Sequence, residues 1–347
     1  MDRRYELSPG YTISRVINGC WQLSEGHSLN GALDMSDVKR AFWELVDRGF
    51  TTFDCADIYT GAEDFIGGFV EELKRSPDHS PDEIQIHTKY VPDLDRLATL
   101  RFEDTERIID RSLSRLRRER LDLVQFHWWD YEIPRFIEVA GYLVRLREKG
   151  KIRNIGLTNF DTDRLAALVD AGIPVASIQT QYSMFDRRGE KRQLRYCREH
   201  GIAMFCYGTL SGGFLSEKYL GRTGFAPETR SQVKYMQVIE DTLGMDGLQA
   251  LLRLLKRVGD AHGAGISNVA TRYILQQEGV AAAIVGVRNS RHVADNARLF
   301  EFELTPSEMA EIRSLLDEYP VLEGDPYTLE RTSPRYRGII KMKLNGE

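Results

Sequence analysis

Along this chain, short runs rich in β-branched and aromatic residues alternate with longer segments whose apolar residues recur every three or four positions. The first run is Val16 to Trp21. After it, M-S-D-V-K-R-A-F-W-E-L-V-D-R-G-F sets Val38, Ala41, Phe42, Leu45 and Val46 on one helical face, with Ser36 placed to cap the helix and Gly49 to stop it. T-T-F-D-C-A precedes a helix carrying Phe65, Val70 and Leu73. I-Q-I-H-T-K-Y precedes one carrying Ile108, Ile109, Leu113 and Leu116, and L-D-L-V-Q-F-H one from Phe136 to Leu146. K-I-R-N-I-G-L-T, V-A-S-I-Q-T-Q, I-A-M-F-C-Y-G and A-A-A-I-V-G-V, each followed by a helical segment, bring the count of strand-helix units to eight.

Eight such units with no composition break predict an α/β fold, a closed parallel (β/α)8 barrel (TIM barrel) in a single domain over residues 1–347, its barrel spanning about 15–318. The rival is a doubly wound open sheet. It is disfavoured because no G-x-G-x-x-G follows the first strand, and G-A-E-D-F-I-G-G has the wrong spacing for one. A long loop is expected after the seventh strand, where G-R-T-G-F-A-P-E-T-R-S-Q is polar and bears Gly and Pro; such loops tend to be lids. Residues 319–347 are expected to form an extended closing segment that completes the pocket or covers a barrel end.

Composition narrows the field. The chain has 347 residues, 42% of them hydrophobic, and a net charge of -5, with no Lys/Arg block long enough to hold nucleic acid. No run approaches the roughly 18 apolar residues of a membrane span, and M-D-R-R-Y-E-L-S-P-G lacks an apolar leader core. A cytoplasmic protein is expected. Cys20, Cys55, Cys197 and Cys206 are too scattered for a zinc site or a disulfide framework, so reduced thiols and no metal are expected.

In such a barrel the active site sits where strands end and their following loops begin. Those ends carry Asp54 with Tyr59 in the next loop, then Lys89, His127, Thr158 and Asn159, Gln179 and Gln181, and Tyr207. Singly, each has an ordinary structural reading: His127 as a core histidine, Lys89 as a snorkelling chain, Asp54 as a cap. Their convergence on one rim favours chemistry. His87, two residues before Lys89, has no role in this reading. A phenol ionises near a pKa of about 10, and a nearby ammonium lowers it. Lys89 would supply that charge, Asp54 would keep Lys89 protonated, and His127 would donate to a carbonyl oxygen and orient it. The set suits protonating an oxygen as hydride reaches its carbon.

F-D-C-A-D-I-Y-T-G-A-E, T-K-Y, L-D-L-V-Q-F-H-W-W-D, G-K-I-R-N-I-G-L-T-N-F and A-A-I-V-G-V-R-N-S-R-H-V-A-D-N lie in order across most of the chain. With them the sequence resembles the aldo-keto reductase family. The resemblance implies a nicotinamide cofactor bound in extended form and a catalytic tetrad of Asp54, Tyr59, Lys89 and His127. It implies that Thr158, Asn159 and Gln179 hold the carboxamide and that Tyr207 stacks on the nicotinamide ring. The pyrophosphate would follow Gly208 and the stretch Leu210 to Leu215, where Ser211 and Gly213 let backbone N–H groups approach. Gly286, Arg288, His292, Asp295 and Asn296 would take the adenosine end. The sequence departs from the family at Gly286, where some members place a lysine for a 2′-phosphate. Arg288 or Arg291 would replace it, which favours NADP(H) and leaves NAD(H) open. Cys55 and Thr158 are lesser departures.

Trp21, Tyr90 and Trp128 are expected in the substrate pocket, with Trp129 beside them and Tyr182 and Phe185 in reach; Trp43 reads as helix packing. Two functions follow from the resemblance. One is an enzyme that reduces a small aldehyde or ketone, or runs backwards on an alcohol or sugar. The other is a cofactor-sensing regulatory subunit similar to potassium-channel β subunits. Partners are expected to be small molecules, with neither nucleic acid nor membrane, and no oligomeric state is legible.

Overall fold

The computed structural model describes residues 2–24, 33–222 and 224–338. Two antiparallel strands, β1 (Arg4–Ser8) and β2 (Tyr11–Ser14), come first. Eight parallel strands then close into a barrel in the order β10-β3-β4-β5-β6-β7-β8-β9. They are β3 (Val16–Gly19), β4 (Thr52–Asp54), β5 (Gln85–Tyr90), β6 (Leu121–Phe126), β7 (Ile152–Thr158), β8 (Val175–Gln181), β9 (Ala203–Tyr207) and β10 (Val280–Gly286). The expected (β/α)8 TIM barrel is the fold observed. Among the described residues no helix is long and apolar enough to cross a membrane.

Helices follow the strands. Between β3 and β9 these are α1 (Met35–Asp47), α2 (Ala62–Leu73), α3 (Phe102–Leu116), α4 (Phe136–Glu148), α5 (Thr162–Asp170), α6 (Arg188–Lys191) and α7 (Gln193–Glu199). The long connection from β9 to β10 holds α8 (Arg230–Asp241), α9 (Gly244–His262) and α10 (Ile266–Leu275). After β10 come α11 (Val293–Arg298), α12 (Pro306–Asp317), α13 (Thr328–Thr332) and α14 (Pro334–Arg337).

Four features differ from the sequence reading. The hairpin β1/β2 was not expected; it buries Tyr11 and Ile13 against Leu123, Ala203 and Phe205 and so plugs the end of the barrel at which the strands begin. Asp34, not Ser36, caps α1, because its carboxylate accepts from both the Ser36 and Asp37 backbone N–H groups. The polar stretch after β9 is not loop throughout, since Thr229 caps α8 through the Gln232 N–H and Arg230 begins the helix. The C-terminal segment is extended only in part: 319–327 lie in no helix, the chain then folds into the short helices α13 and α14, and 339–347 lie outside the described residues.

Strand alternation decides which side chains meet inside the barrel. On β5, His87 and Lys89 face inward while Thr88 and Tyr90 face the helices, where Thr88 donates to Glu63 Oε1 at 2.7 Å and the Tyr90 hydroxyl meets Thr105 Oγ1 at 2.9 Å. His87 now has a place. It stacks on Phe205, 5.7 Å between centroids, and its Nε2 lies 3.2 Å from the Tyr11 hydroxyl, joining barrel to plug. Burial pushes its pKa down to about 4, so it fills this role as a neutral ring.

Where α2 crosses α3, a Cβ built on Gly67 would lie 1.9 Å from the Arg115 carbonyl oxygen, a backbone atom with little freedom to move. Gly67→Ala should therefore destabilise the fold by about 1–3 kcal/mol, seen as a lower urea midpoint at unchanged slope. Gly68→Ala, whose Cβ meets nothing within 4 Å, should not. Equal midpoints for the two variants would show that the helices separate freely.

Candidate active site

Two strand ends supply the centre of the site. Asp54 closes β4 and Lys89 is next to last in β5, so the register that pairs Asp54 with His87 brings both side chains to the same level of the barrel. Lys89 Nζ donates to Asp54 Oδ2 at 2.6 Å and to the Cys55 carbonyl at 2.8 Å. The other carboxylate oxygen, Oδ1, accepts from Gln125 Nε2 and Gln179 Nε2, both at 2.7 Å, and Gln179 Nε2 also reaches Gln125 Oε1 at 2.8 Å. Asp54 and Lys89 are each only 5% exposed. Burial works against the Lys89 charge, but Asp54 and Tyr59 outweigh it and hold the pKa above its ordinary value.

Gln125 was not singled out from the sequence. It sits on β6 two residues before His127, at an inward position where an apolar residue would leave Asp54 Oδ1 short of a donor. Gln179, expected at a carboxamide, uses its own amide nitrogen inside this network.

The Tyr59 ring lies over the ammonium, 4.9 Å from Nζ to its centroid, with Trp21 edge-on at 4.8 Å. Burial raises the phenol's pKa to about 12; Lys89 pulls it down and Asp54 pushes it up, so the lysine does not bring it below the ordinary value as expected. His127 is equally constrained. Its Nδ1–H donates to the Thr158 carbonyl at 3.0 Å, and its buried Nε2 has no partner among the described residues. Burial and the Arg331 charge drive its pKa down to about 3 against that hydrogen bond. The ring is neutral at pH 7 with its one proton on Nδ1, so Nε2 is an acceptor, not the expected donor.

Tyr90 and Trp128, expected in the pocket, point away from it. Tyr90 stacks on Phe126 beneath α3, and Trp128 Nε1 donates to the Asp130 and Ile133 carbonyls in the outer layer. Tyr182 likewise turns to Glu190 of α6 at 2.7 Å, and Phe185 is buried. The aromatic walls beside His127 are instead Trp129, 4.3 Å between ring centroids, and Tyr327, 5.6 Å, both edge-on. Tyr327 was missed; its only signal was its place in the segment read as closing the pocket.

Beyond the centre, Tyr207 donates to Asn159 Oδ1 at 2.8 Å, and Asn159 adopts φ 61, where an L side chain is costly. Gly208, Ser211, Gly212 and Gly213 all have positive φ, and Leu210 lies among them. A Cβ on Gly208 would collide with the Tyr235 hydroxyl of α8 at 2.1 Å, so that helix packs directly on the turn. Farther along the rim, Gly286, Arg288, His292 and Asp295 are exposed and Asn296 is half-buried beside them. A Cβ on Gly286 would lie 2.2 Å from Gln22 Nε2, which explains why a lysine is not accommodated there without displacing Gln22. Thr158 Oγ1 and His127 Nε2, buried and without a partner among the described residues, and the glycine turn after Tyr207 fit the polar groups of a nicotinamide dinucleotide.

Residues 15–317 match the family model described as the Aldo/keto reductase family. The chain belongs to the aldo/keto reductase family. It is similar to the aldo-keto reductase yakc [NADP(+)] of Schizosaccharomyces pombe, 27% identical over 323 residues that cover 90% of this chain and 91% of that one. It is also similar to the NADH-specific methylglyoxal reductase of Escherichia coli, 25% identical with 88% and 95% covered. Among solved structures, the glycerol dehydrogenase of Gluconobacter oxydans superposes with a TM-score of 0.77 at 25% identity, covering 93% of this chain and 98% of that one. As a member of the family, the protein is an NAD(P)-dependent oxidoreductase.

This aldo/keto reductase pins its C-terminal segment to the rim with buried charge. Arg188, fully buried, meets Asp186 at 2.6 Å and Glu330 of α13 at 3.3 Å, and Lys234 of α8 reaches Glu330 at 2.9 Å. Burial alone would raise the Glu330 pKa, but Lys234 and Arg188 bring it down to about 2.

The central pair yields a stability test. Lys89→Met would strand the Asp54 carboxylate without a counter-ion, at a cost of about 3–5 kcal/mol. Adding Asp54→Asn should recover much of that loss, so a double-mutant cycle by chemical denaturation should read strong coupling. Simple additivity would mean that the pair is not energetically joined.

Proposed function

We propose that this aldo/keto reductase reduces the carbonyl of a small aldehyde or ketone to an alcohol, with Tyr59 as the proton donor, and that the reverse oxidation uses the same groups. The observation that carries this reading is the buried Asp54–Lys89 pair lying under the Tyr59 ring, with His127 just past the end of the neighbouring strand β6 and its Nε2 without a partner among the described residues. A bound reduced nicotinamide would supply the hydride. Thr158, Asn159, Tyr207, Gly208, Leu210, Ser211 and Gly213 are the residues suited to hold it, with Gly286, Arg288, His292, Asp295 and Asn296 at its far end.

As negative charge develops on the substrate oxygen, the Tyr59 O–H passes its proton to it. The Lys89 ammonium stabilises the phenolate left behind, and Asp54 keeps that ammonium charged in a site closed to water. His127 Nε2 accepts a hydrogen bond from the hydroxyl of Tyr59 or of the alcohol, which fixes the oxygen's position. Trp21, Trp129 and Tyr327 exclude water from the reacting carbon. The coenzyme preferred in this reading is NADP(H), because Arg288 and Arg291 are exposed where a 2′-phosphate would need a planar, bidentate partner. The relatives' names point both ways, one to NADP(+) and one to NADH. The comparisons lend no support to the regulatory-subunit alternative.

Tyr59→Phe should lower kcat for carbonyl reduction by about 10²–10⁴-fold while coenzyme affinity, followed by nicotinamide fluorescence, changes little. Residual turnover near the wild-type rate would remove Tyr59 as the acid.

The pH profile gives a second test. Reduction requires protonated Tyr59, whose supply falls only as pH rises through a pKa of about 12, and His127, with a pKa of about 3, is already neutral in mild acid. Between about pH 5 and pH 9, kcat/KM for reduction should be flat. An inflection near 6.5 would mean that His127 titrates and acts in its charged form.

A further inference from the structure

Glu63 is a buried carboxylate to which the reaction above gives no part. It lies on the first turn of α2, 1% exposed, and its Oε1 accepts from the Thr88 hydroxyl of β5 at 2.7 Å. Arg115 of α3 stands 3.6 Å from Oε2, with 36% of its own side chain exposed. Burial raises the Glu63 pKa against the hydrogen bonds from Thr88 and Ser112 and the charge of Arg115, so the group is kept here at a cost in stability.

Its place along the chain gives that cost a use. Asp57, Tyr59 and Glu63 follow one another between β4 and the first turn of α2, and the two flanking residues are both tied to β5. The Asp57 N–H donates to the Lys89 carbonyl at 3.3 Å, and Asp57 Oδ2 accepts from the Val91 N–H at 3.1 Å. Glu63 holds Thr88, so the two ties straddle Lys89. Between them the chain turns outward: Thr60 and Gly61 are exposed, Gly61 has φ 82, and the Ala62 N–H bonds the Tyr59 carbonyl at 2.9 Å. No side chain caps α2, which leaves its first turn without a local anchor of that kind. Thr88 and Lys89 are consecutive on a strand and point to opposite sides, the one fastening Glu63 behind the sheet and the other meeting the Tyr59 ring in front of it.

We propose that Glu63 is a positioning residue for the proton transfer: its hydrogen bond with Thr88 fixes the far end of the Tyr59 turn to the strand that carries Lys89, and so holds the phenol over the ammonium. The inference rests on the carbonyl-reductase reading above, in which Tyr59 is the acid. Without this tie the turn is fastened to β5 at Asp57 alone, and the ring swings about a single hinge. A displacement of about 1 Å at a reacting group costs up to about 10²-fold in rate.

Glu63→Ala and Thr88→Val break the bond from its two sides. Each should lower kcat for carbonyl reduction by about ten- to a hundredfold, with coenzyme affinity, read by nicotinamide fluorescence, within about twofold of wild type, and the double variant should lose no more than either alone. Glu63→Gln, which keeps the acceptor oxygen without the charge, should retain most of the wild-type kcat. Leu73→Ala, fully buried in the last turn of the same helix, should lower stability and leave kcat unchanged at a temperature where every variant is folded. An unchanged kcat in Glu63→Ala and Thr88→Val would overturn the proposal. So would an equal loss in Glu63→Gln, which would make charge the decisive property, or in Leu73→Ala, which would reduce Glu63 to ordinary packing. A second readout does not depend on turnover. With 3-fluorotyrosine incorporated, the fluorine resonance of Tyr59, assigned by its absence from Tyr59→Phe, should move in Glu63→Ala and Thr88→Val and stay in place in Glu63→Gln. If wild type reduces no carbonyl compound, the reductase reading fails, while a moved resonance would still establish that Glu63 positions Tyr59 and an unmoved one would sink it.

Discussion

An ammonium and a carboxylate in contact at 2.6 Å, almost sealed from water, make the demand that the rest of this molecule meets. Neither charge is affordable alone in such a place, and the pair is tolerable only when every remaining donor and acceptor is also engaged. Gln125 and Gln179 supply those contacts to Asp54, and the Cys55 carbonyl supplies one to Lys89. The groups come from four strands, β4, β5, β6 and β8, so the arrangement exists only if the barrel closes in one register. Shifting any of these strands by one residue would turn its polar group outward.

The same burial sets the character of the proposed acid. A phenol over a lysine in water would ionise more readily, but here the loss of solvent outweighs the ammonium and the proton stays on Tyr59. In the proposed reaction the lysine's contribution is then to the phenolate that forms as the proton leaves, when the charge it faces is greatest. Histidine is treated alike: the Thr158 carbonyl takes the ring's one proton, and the other nitrogen is left as an acceptor in a dry wall. The rim thus combines a reluctant donor with a fixed acceptor, the two kinds of group that the proposed proton transfer requires.

Much of this was legible in the sequence. Strand-helix alternation gave the barrel, and the polar residues at strand ends gave the rim, because in a closed parallel barrel those positions have nowhere else to converge. The errors have physical causes. Tyr90 and Trp128 were assigned to the pocket by proximity, yet period-two alternation makes each the outward neighbour of an inward residue, Lys89 and His127; the same parity carried one residue on would have favoured Trp129. Gln125 was hidden because an inward glutamine is recognisable only once the unsatisfied oxygen of Asp54 is in view. The hairpin β1/β2 and the helical tail carry short, weakly periodic patterns, and their places are fixed by contacts with distant residues, Tyr11 with His87 and Glu330 with Arg188. The donor role given to His127 failed for a similar reason, since a tautomer depends on the partner of its other nitrogen.

The knot of Arg188, Asp186, Lys234 and Glu330 has a kinetic meaning. Pairing around the barrel proceeds mostly from each strand to the next in sequence, whereas Arg188 and Glu330 meet across a separation of 142 residues. Contacts of such long range are reached after local ones in most folding routes, since the intervening chain must first be ordered. The seam that closes the barrel, β10 against β3, spans a separation greater still, with Arg15 and Ala281 in contact across 266 residues, so the knot and the closing seam alike belong to the long-range contacts, and charge is what joins the mouth to the barrel. Parting Glu330 from Arg188 and Lys234 would leave charges unpaired in a place closed to water, so a mouth fastened in this way resists casual opening more firmly than one held by apolar contacts of the same size.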